Sequence, residues 1–439
     1  MVEELQKDVI NHLIKDVINN KILFYYIIMN SNFYDIIIVG AGLSGLYSAY
    51  NIKKMDPTKK FLILESNKKQ YIGGRIGNED FYGVPIVVGA GTGRKDTNKL
   101  LIKLLKELEI DFKPFKVLMN YSSLINNPIN VKNCLIKLRE SYNKLPLKPS
   151  LTFKQFAKPI LGNEIYNKFL VSSGYTDYEQ EDAYEVLYYY QMEDNAPGWT
   201  ALDIYWSTLI NSLCNHIGYK NIKTSNKVEK ISKLNLNPCL FEIITDKGTK
   251  YHSNKVIIAT RISTVQKLLP SFPIYNKIHG QPFLYVYAKF TKKSSEIMKQ
   301  YVPNYTIVPG PLQKMIPFDA SKGIYMIAYS DNKNATFLNN HVENIEVNRQ
   351  FFERSVEKSL AIQPNSLKII SIKHYYWPIG THYYEPLNKN QFKTREEFIY
   401  EAQHPEKCML VVGEAVSRNQ GWTEGALESV HAVLNKRWI

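Results

Sequence analysis

The sequence predicts an α/β protein in which a parallel, Rossmann-like sheet is assembled from separated stretches of chain and interleaved with an α+β second domain. Three observations carry that prediction. A run of β-branched residues, Ile36 to Val39, breaks directly into glycines at Gly40, Gly42 and Gly45. A second apolar run, Lys60 to Leu64, ends at an acid, Glu65. A third run near the C-terminus, Met409 to Val412, again ends in a glycine turn that opens a helix. Continuous apolar runs bounded by such turns are the pattern of strands buried on both faces of a parallel sheet.

Length and composition set the outer bounds. A chain of 439 residues suggests two or three domains. With 44% hydrophobic and 22% charged residues, and no apolar stretch approaching the ~20 residues that cross a bilayer, a disordered chain and a membrane-spanning helix are both excluded. The formal charge is +14, from 55 Lys plus Arg against 41 Asp plus Glu. Such an excess speaks to non-specific attraction, and the abundance of Lys, Asn, Ile and Tyr is what the codons of an A/T-rich genome favour, so no nucleic-acid partner is expected. Cys134, Cys214, Cys239 and Cys408 show no C-x-x-C spacing. Neither a disulfide framework nor a metal site is indicated, and a reducing, intracellular setting, the cytoplasm, is expected.

Residues 1–33 form an extension. Leu5, Val9, Leu13 and Val17, with Ile10, Ile14 and Ile18, recur at helical spacing and predict an amphipathic helix. The following run, Ile22 to Met29, is too short to span a membrane and lacks a signal-peptide cleavage site, so a helix packed on this protein's own core, or leader sequence upstream of a start at Met29, is expected rather than a helix docking on a membrane surface or a partner.

The first glycine turn has G-x-G-x-x-G spacing. Gly40 allows the tight turn, Gly42 lets a pyrophosphate approach the backbone, and Gly45 lets helix and strand pack closely. The helix that opens at Leu43 and Ser44 presents its N-terminus to the phosphate charge. Glu65, followed by Ser66, lies twenty residues after Gly45, where a carboxylate accepts hydrogen bonds from ribose hydroxyls. A dinucleotide is the expected ligand. Next comes Gly73-Gly74-Arg75, two unhindered glycines beside a guanidinium that suits a phosphate.

At Gly73-Gly74-Arg75 the chain resembles the flavin-containing amine oxidase family, the monoamine, polyamine and L-amino-acid oxidases and their relatives. The resemblance places Gly74 and Arg75 at the pyrophosphate of a bound FAD. This chain has two more residues between the acid and the G-G-R, read here as a longer surface loop. The segment Val87 to Arg94 (VVGAGTGR) is similar to the family's turn beside the flavin, which assigns Gly89, Ala90, Gly91 and Thr92 to the cofactor. Arg94 stands two positions later than the carboxylate-binding arginine of some amino-acid oxidases, and a cofactor or surface role is expected for it.

From Asp96 to about Ile217 the pattern reads as mostly helical, half of a substrate domain, with the tyrosines at Tyr184 and Tyr188 to Tyr190 expected in its core. The strand beginning at Lys227 and the two strands around Asp246-Lys247-Gly248 return to the cofactor domain, and the resemblance places the Val228 backbone at the adenine. Strands Phe283 to Phe290 and Gly323 to Tyr329 and the helix Val347 to Leu360 supply the rest of the substrate domain. The expected division is thus 34–96, 215–270 and 395–439 for the FAD-binding domain, and 97–214 and 271–394 for the substrate domain. Many family members carry a flavin-side lysine on a strand of this region, yet Gln281-Pro282-Phe283 offers none.

The closing segment is the most specific match. The resemblance places Gly413 and Glu414 at the ribityl and pyrophosphate portion, and the helix opening at Thr423 with its N-terminus toward the flavin, where a positive helix end stabilises negative charge. Trp422 would form one wall of an aromatic cage. The other wall is expected from Trp377 to Tyr384, at Tyr384 or Tyr383, with His382 left open. Thr381 stands where covalent-flavin oxidases carry cysteine, so FAD should be held non-covalently. The implied activity is an FAD-dependent oxidase that takes hydride from the α-carbon of an amine or amino acid and passes electrons to dioxygen, giving imine and hydrogen peroxide. The alternative is a flavin-binding or interaction protein with weak or no oxidase activity.

Overall fold

The computed structural model describes residues 32–190, 192, 198–236 and 238–439. The predicted N-terminal helix lies outside the described residues. β1 (Asn32–Val39) turns through Gly40 into α1 (Leu43–Met55), and β2 (Phe61–Leu64) returns parallel to β1 with Ile36 opposite Phe61. Ile36, Ile37 and Ile38 are fully buried, because helices cover one face of the sheet and a second apolar layer the other. α2 (Lys99–Glu107) and α3 (Trp206–Ile217) pack with α1 in one of these cores. β3 (Ile222–Lys223) extends the sheet parallel to β2. β4 (Val228–Leu236), β5 (Cys239–Thr245) and β6 (Lys250–Ile258) form an antiparallel meander whose last strand lies parallel to β1.

A second, six-stranded sheet is built from β7 (Ile278–Phe290), β8 (Tyr305–Ile307), β9 (Lys314–Asp319), β10 (Ile324–Asp331) and β11 (Ile369–Tyr384), with Met119–Tyr121 at its edge. Helix Glu346–Leu360 contributes Phe352, Val356 and Leu360 to the apolar core beneath it. The chain then rejoins the first sheet as β12 (Met409–Val411), parallel to the end of β6, and closes with α4 (Thr423–Val433). The C-terminal ends of β1, β2, β6 and β12 therefore converge, which is where open α/β sheets bind ligands.

Three expectations need correction. The stretch from Asp96 to Ile217, expected to be mostly helical, also holds strands: Thr200–Ile204 pairs with Phe112–Lys116 and, before the stretch, with Gly93–Arg94 in a small antiparallel sheet. Phe112–Lys116 reads FKPFK, and its proline and lysines hide it. Cys239 and Cys408 form a disulfide between the start of β5 and the residue before β12, 169 positions apart. Such a pairing leaves no spacing motif to read. Cys134 and Cys214 are free thiols. Finally, Tyr189 lines a cavity rather than filling the helical core, while Tyr188 and Tyr190 pack against that core and Tyr190 also reaches the cavity. No helix among the described residues is long and apolar enough to cross a membrane.

Candidate active site

One cavity of about 730 Å3 opens where the parallel strands end. At the sheet end its walls are Gly40, Gly42, Leu43 and Ser44 from the first turn, with Glu65 and Ser66 from the end of β2. Gly74, Arg75, Gly89 and Ala90 continue the wall, and Val228, Gly413, Glu414, Trp422 and Thr423 complete it. Gly45, Gly91 and Thr92 are not on it. A Cβ on Gly45 would lie 2.0 Å from the Gly40 carbonyl oxygen, so this glycine serves the close packing of turn on helix. The Gly91 carbonyl accepts the Trp206 indole N–H at 2.7 Å.

The cleft fits a dinucleotide. A Cβ on Gly42 would meet nothing within 4 Å, so the backbone itself faces open space. The N-terminus of α1 has no side-chain cap and no acid in its first turn, leaving backbone N–H groups to meet an anion. The Glu65 carboxylate is oriented by the Ala41 N–H at 2.8 Å and the Asn67 N–H at 2.7 Å. Buried hydroxyls of Thr381 and Thr423, both on the wall, have no hydrogen-bond partner among the described residues. A polar ligand would supply one.

A buried ionic knot joins the two sheets beside this cleft. Arg75 Nη1 donates to the Gly380 carbonyl at 2.7 Å and to Glu414 Oε1 at 2.8 Å. His382 Nδ1 also bonds Glu414 Oε1, and the Gly421 N–H donates to Oε2 at 2.9 Å. The Ile262 N–H donates to His382 Nε2, so this nitrogen carries no proton and Nδ1 is the donor. Burial alone would raise the Glu414 carboxyl, but His382 and Arg75 outweigh it and hold it far below the usual carboxylate range. Arg75 thus carries a structural bond besides the phosphate role expected of it.

Beyond the knot the cavity becomes aromatic. Tyr175, Tyr189 and Tyr190 face it from the helical region, Phe283 and Tyr285 from β7, Tyr329 from β10, and Tyr376 and Trp377 from β11. Trp422 is fixed by its indole N–H on Asn98 Oδ1 at 2.8 Å. Arg94 also lines the cavity, its guanidinium 4.7 Å from the centre of the Trp422 ring. The other two residues expected at the cage lie elsewhere. Tyr384 is buried against Phe398 with its hydroxyl on the Ser417 carbonyl, and Tyr383 stacks on His279 at 5.3 Å. Neither is on the wall, whereas Thr381 and His382 are.

The sequence reading missed the polar residues of this end. Asp177 lies on the wall, 5% exposed, and burial reinforced by Asp331 pushes its carboxyl far above the usual carboxylate range. Lys314 on β9 is buried behind it, 3.8 Å from the Tyr175 ring centre, and burial lowers its ammonium to about 7. A sequence signal existed for the aromatic part alone: Phe283, Tyr285 and Tyr287 alternate along one face of a strand. No group of His, Cys, Asp and Glu placed to hold a metal occurs among the described residues.

Comparison with known proteins places this geometry. A family model described as an NAD(P)-binding Rossmann-like domain matches residues 38–108. An uncharacterized protein of Acanthamoeba polyphaga mimivirus is 21% identical, over 92% of this chain and 93% of its own. A double mutant of putrescine oxidase redesigned in cofactor binding superposes with a TM-score of 0.70 at 13% identity, covering 91% of this chain and 97% of that one. The wild-type putrescine oxidase bound to putrescine superposes at 0.69, also at 13% identity, covering 90% and 97%. Matches at this identity speak to architecture. With a dinucleotide-binding Rossmann-like domain joined to a mixed-sheet substrate domain in this arrangement, the chain has the flavin-containing amine oxidase fold.

Proposed function

We propose that the protein is an FAD-dependent oxidase acting on the α-carbon of an amine or amino acid, with FAD held non-covalently. The observation that carries this reading is the continuity of one cavity, from the glycine turn of β1 to a tyrosine-rich end closed by Trp422. The likeness to a putrescine oxidase solved with putrescine supports an amine as substrate. When bound, FAD would supply hydride acceptance from the substrate carbon and the return of electrons to dioxygen, giving imine and hydrogen peroxide.

The chain's own groups divide the remaining work. The N-terminus of α1 and Arg75 hold the pyrophosphate, and Glu65 receives ribose hydroxyls. The N-terminus of α4 has no side-chain cap, because its N-cap residue is Trp422, and Glu424 in its first turn is turned away onto the Leu100 and Leu101 N–H groups of α2. Its helix dipole therefore favours negative charge in the cavity. The aromatic wall excludes water and orients a neutral amine. Burial raises Tyr175, Tyr190 and Tyr285 well above the ordinary phenol range, so these hydroxyls stay protonated and act as donors.

A second reading, a flavin-binding protein with weak or no turnover, is favoured by the position of Tyr383 and Tyr384 off the wall. A visible spectrum of the purified protein and a peroxide assay across amines and L-amino acids separate the two. A yellow protein that releases peroxide with one of them is expected. A colourless protein overturns the FAD assignment, and a yellow protein inert to all of them favours the second reading.

A further inference from the structure

We propose that His382 is a positioning residue for the dinucleotide: it makes no polar contact with the cofactor, and it holds Glu414 so that Arg75 stays turned to the cavity. This rests on the reading that the cavity takes FAD. Arg75 lines the cavity with its side chain 32% exposed, and its Nη1 donates to the Gly380 carbonyl and to Glu414 Oε1. A guanidinium has five N–H donors, so three remain for an anion. A carboxylate left alone beside a guanidinium draws it into a two-point fork, two N–H groups against two oxygens. Here Arg75 makes a single bond to Glu414, because Oε1 is shared with His382 Nδ1 and Oε2 accepts from the Gly421 N–H at 2.9 Å. His382 is thus the competing donor that keeps the fork from closing.

The imidazole is itself fixed from its far side. Its Nε2 accepts from the Ile262 N–H at 3.1 Å, which leaves the proton on Nδ1. Both ring nitrogens are engaged inside the protein, so the side chain, buried at 3% exposure, has no polar atom left for a ligand. Three returns of the chain meet at this ring: β11 carries His382, Ile262 follows β6, and Glu414 follows β12. Gly380, two residues earlier on β11, supplies the carbonyl that holds Arg75, so one strand grips both members of the Arg75–Glu414 pair. Without the imidazole donor a buried carboxylate is one partner short, and Arg75 is the group at hand to supply it by turning a second N–H away from the cavity. Affinity for a pyrophosphate then falls although Arg75 and the glycine turns are all still present.

The test is a fluorescence titration of the full chain, stripped of flavin, with FAD. An asparagine amide nitrogen lies as many bonds from Cα as Nδ1 does, so His382→Asn keeps the donor to Glu414 and gives up the Ile262 bond. It should hold FAD within about threefold of wild type. A glutamine amide reaches the depth of Nε2, so His382→Gln keeps an acceptor for Ile262 and gives up Glu414. It should bind FAD about ten- to a hundredfold more weakly. In an Arg75→Ala background His382→Gln should change the affinity by less than about twofold, because its effect runs through Arg75. Wild-type affinity in His382→Gln, equal losses in the two variants, or an undiminished loss in the Arg75→Ala background overturns the positioning role while leaving the FAD reading intact. If circular dichroism shows His382→Gln to be unfolded, His382→Ser, which removes both bonds without added bulk, takes its place in the same cycle. If wild type binds no FAD, that reading fails, and the cycle is run with ADP-ribose, which carries the pyrophosphate without the flavin. A loss that depends on Arg75 then sustains the positioning role, and no binding, or a loss independent of Arg75, overturns it.

Discussion

Two glycines three positions apart, Gly42 and Gly45, do different jobs. At Gly42 the backbone is extended, with φ −73° and ψ 178°, and an added methyl meets only the cavity. At Gly45 the methyl would strike the Gly40 carbonyl, which cannot retreat without breaking the turn. Gly42→Ala should thus change the stability of the cofactor-free protein by less than about 0.5 kcal/mol yet weaken FAD about tenfold or more, while Gly45→Ala should cost about 3 kcal/mol. Chemical denaturation and fluorescence titration with FAD measure the two effects, and equal behaviour of the variants would contradict the assignment. Trp422→Ala should retain FAD and lower turnover at least about tenfold, because the wall it forms, braced by Asn98, is removed. Unchanged steady-state kinetics would refute that role. The glycines and Glu65 were legible because each answers a demand of local chain geometry. Asp177 was not, since its significance comes from burial beside Asp331 and Lys314, which lie on distant strands.

Elements were legible in proportion to their regularity. β1, β2, β7 and β12 announce themselves as apolar runs, and α2 and the helix Glu346–Leu360 by period. Strand Phe112–Lys116, with its proline, did not. β11 shows what an element alone leaves open: it carries Thr381, His382, Tyr383 and Tyr384 in succession, and the sequence favoured the tyrosines for the cavity. Its pairing with β7, which shifts register between Gln281 opposite Thr381 and Phe283 opposite Trp377, goes with Thr381 and His382 on the wall and Tyr384 in the core with Phe398. The Cys239–Cys408 disulfide fastens β5 to the three-residue strand β12, which leads into Gly413, Glu414 and α4. Closing so long a loop restricts the unfolded chain, so Cys239→Ser, or reduction with a phosphine, should lower stability by about 2–4 kcal/mol. Denaturant melts with and without reductant test this, and coincident curves would exclude a stabilising bond.

At the scale of the molecule, buried charge sets the response to pH. Burial raises the carboxyls of Asp177, Glu181, Asp331, Glu424 and Glu185, the last to about 7 despite Arg418 and Arg395 beside it. For such groups the folded form holds protons that the unfolded chain has released, so their stabilising share is complete below the unfolded carboxylate values and is lost as pH climbs toward 7. Buried His252, depressed by burial, acts in the opposite sense. Glu414 also differs: its contribution is present above the unfolded value and disappears in acid. The Tm should accordingly fall between about pH 5 and about pH 7, five buried acids against one buried histidine, and a rise across that range in thermal melts would contradict the balance. The sequence by itself determined the strand–glycine–helix frame and the order in which its pieces return to one sheet, because buried parallel strands and phosphate turns are written in neighbouring residues. Only the tertiary structure decided the disulfide partner, the rings that face the cavity, and the acid at its end. Those depend on which distant segments share a desolvated space, and desolvation is not a property of any one stretch of chain.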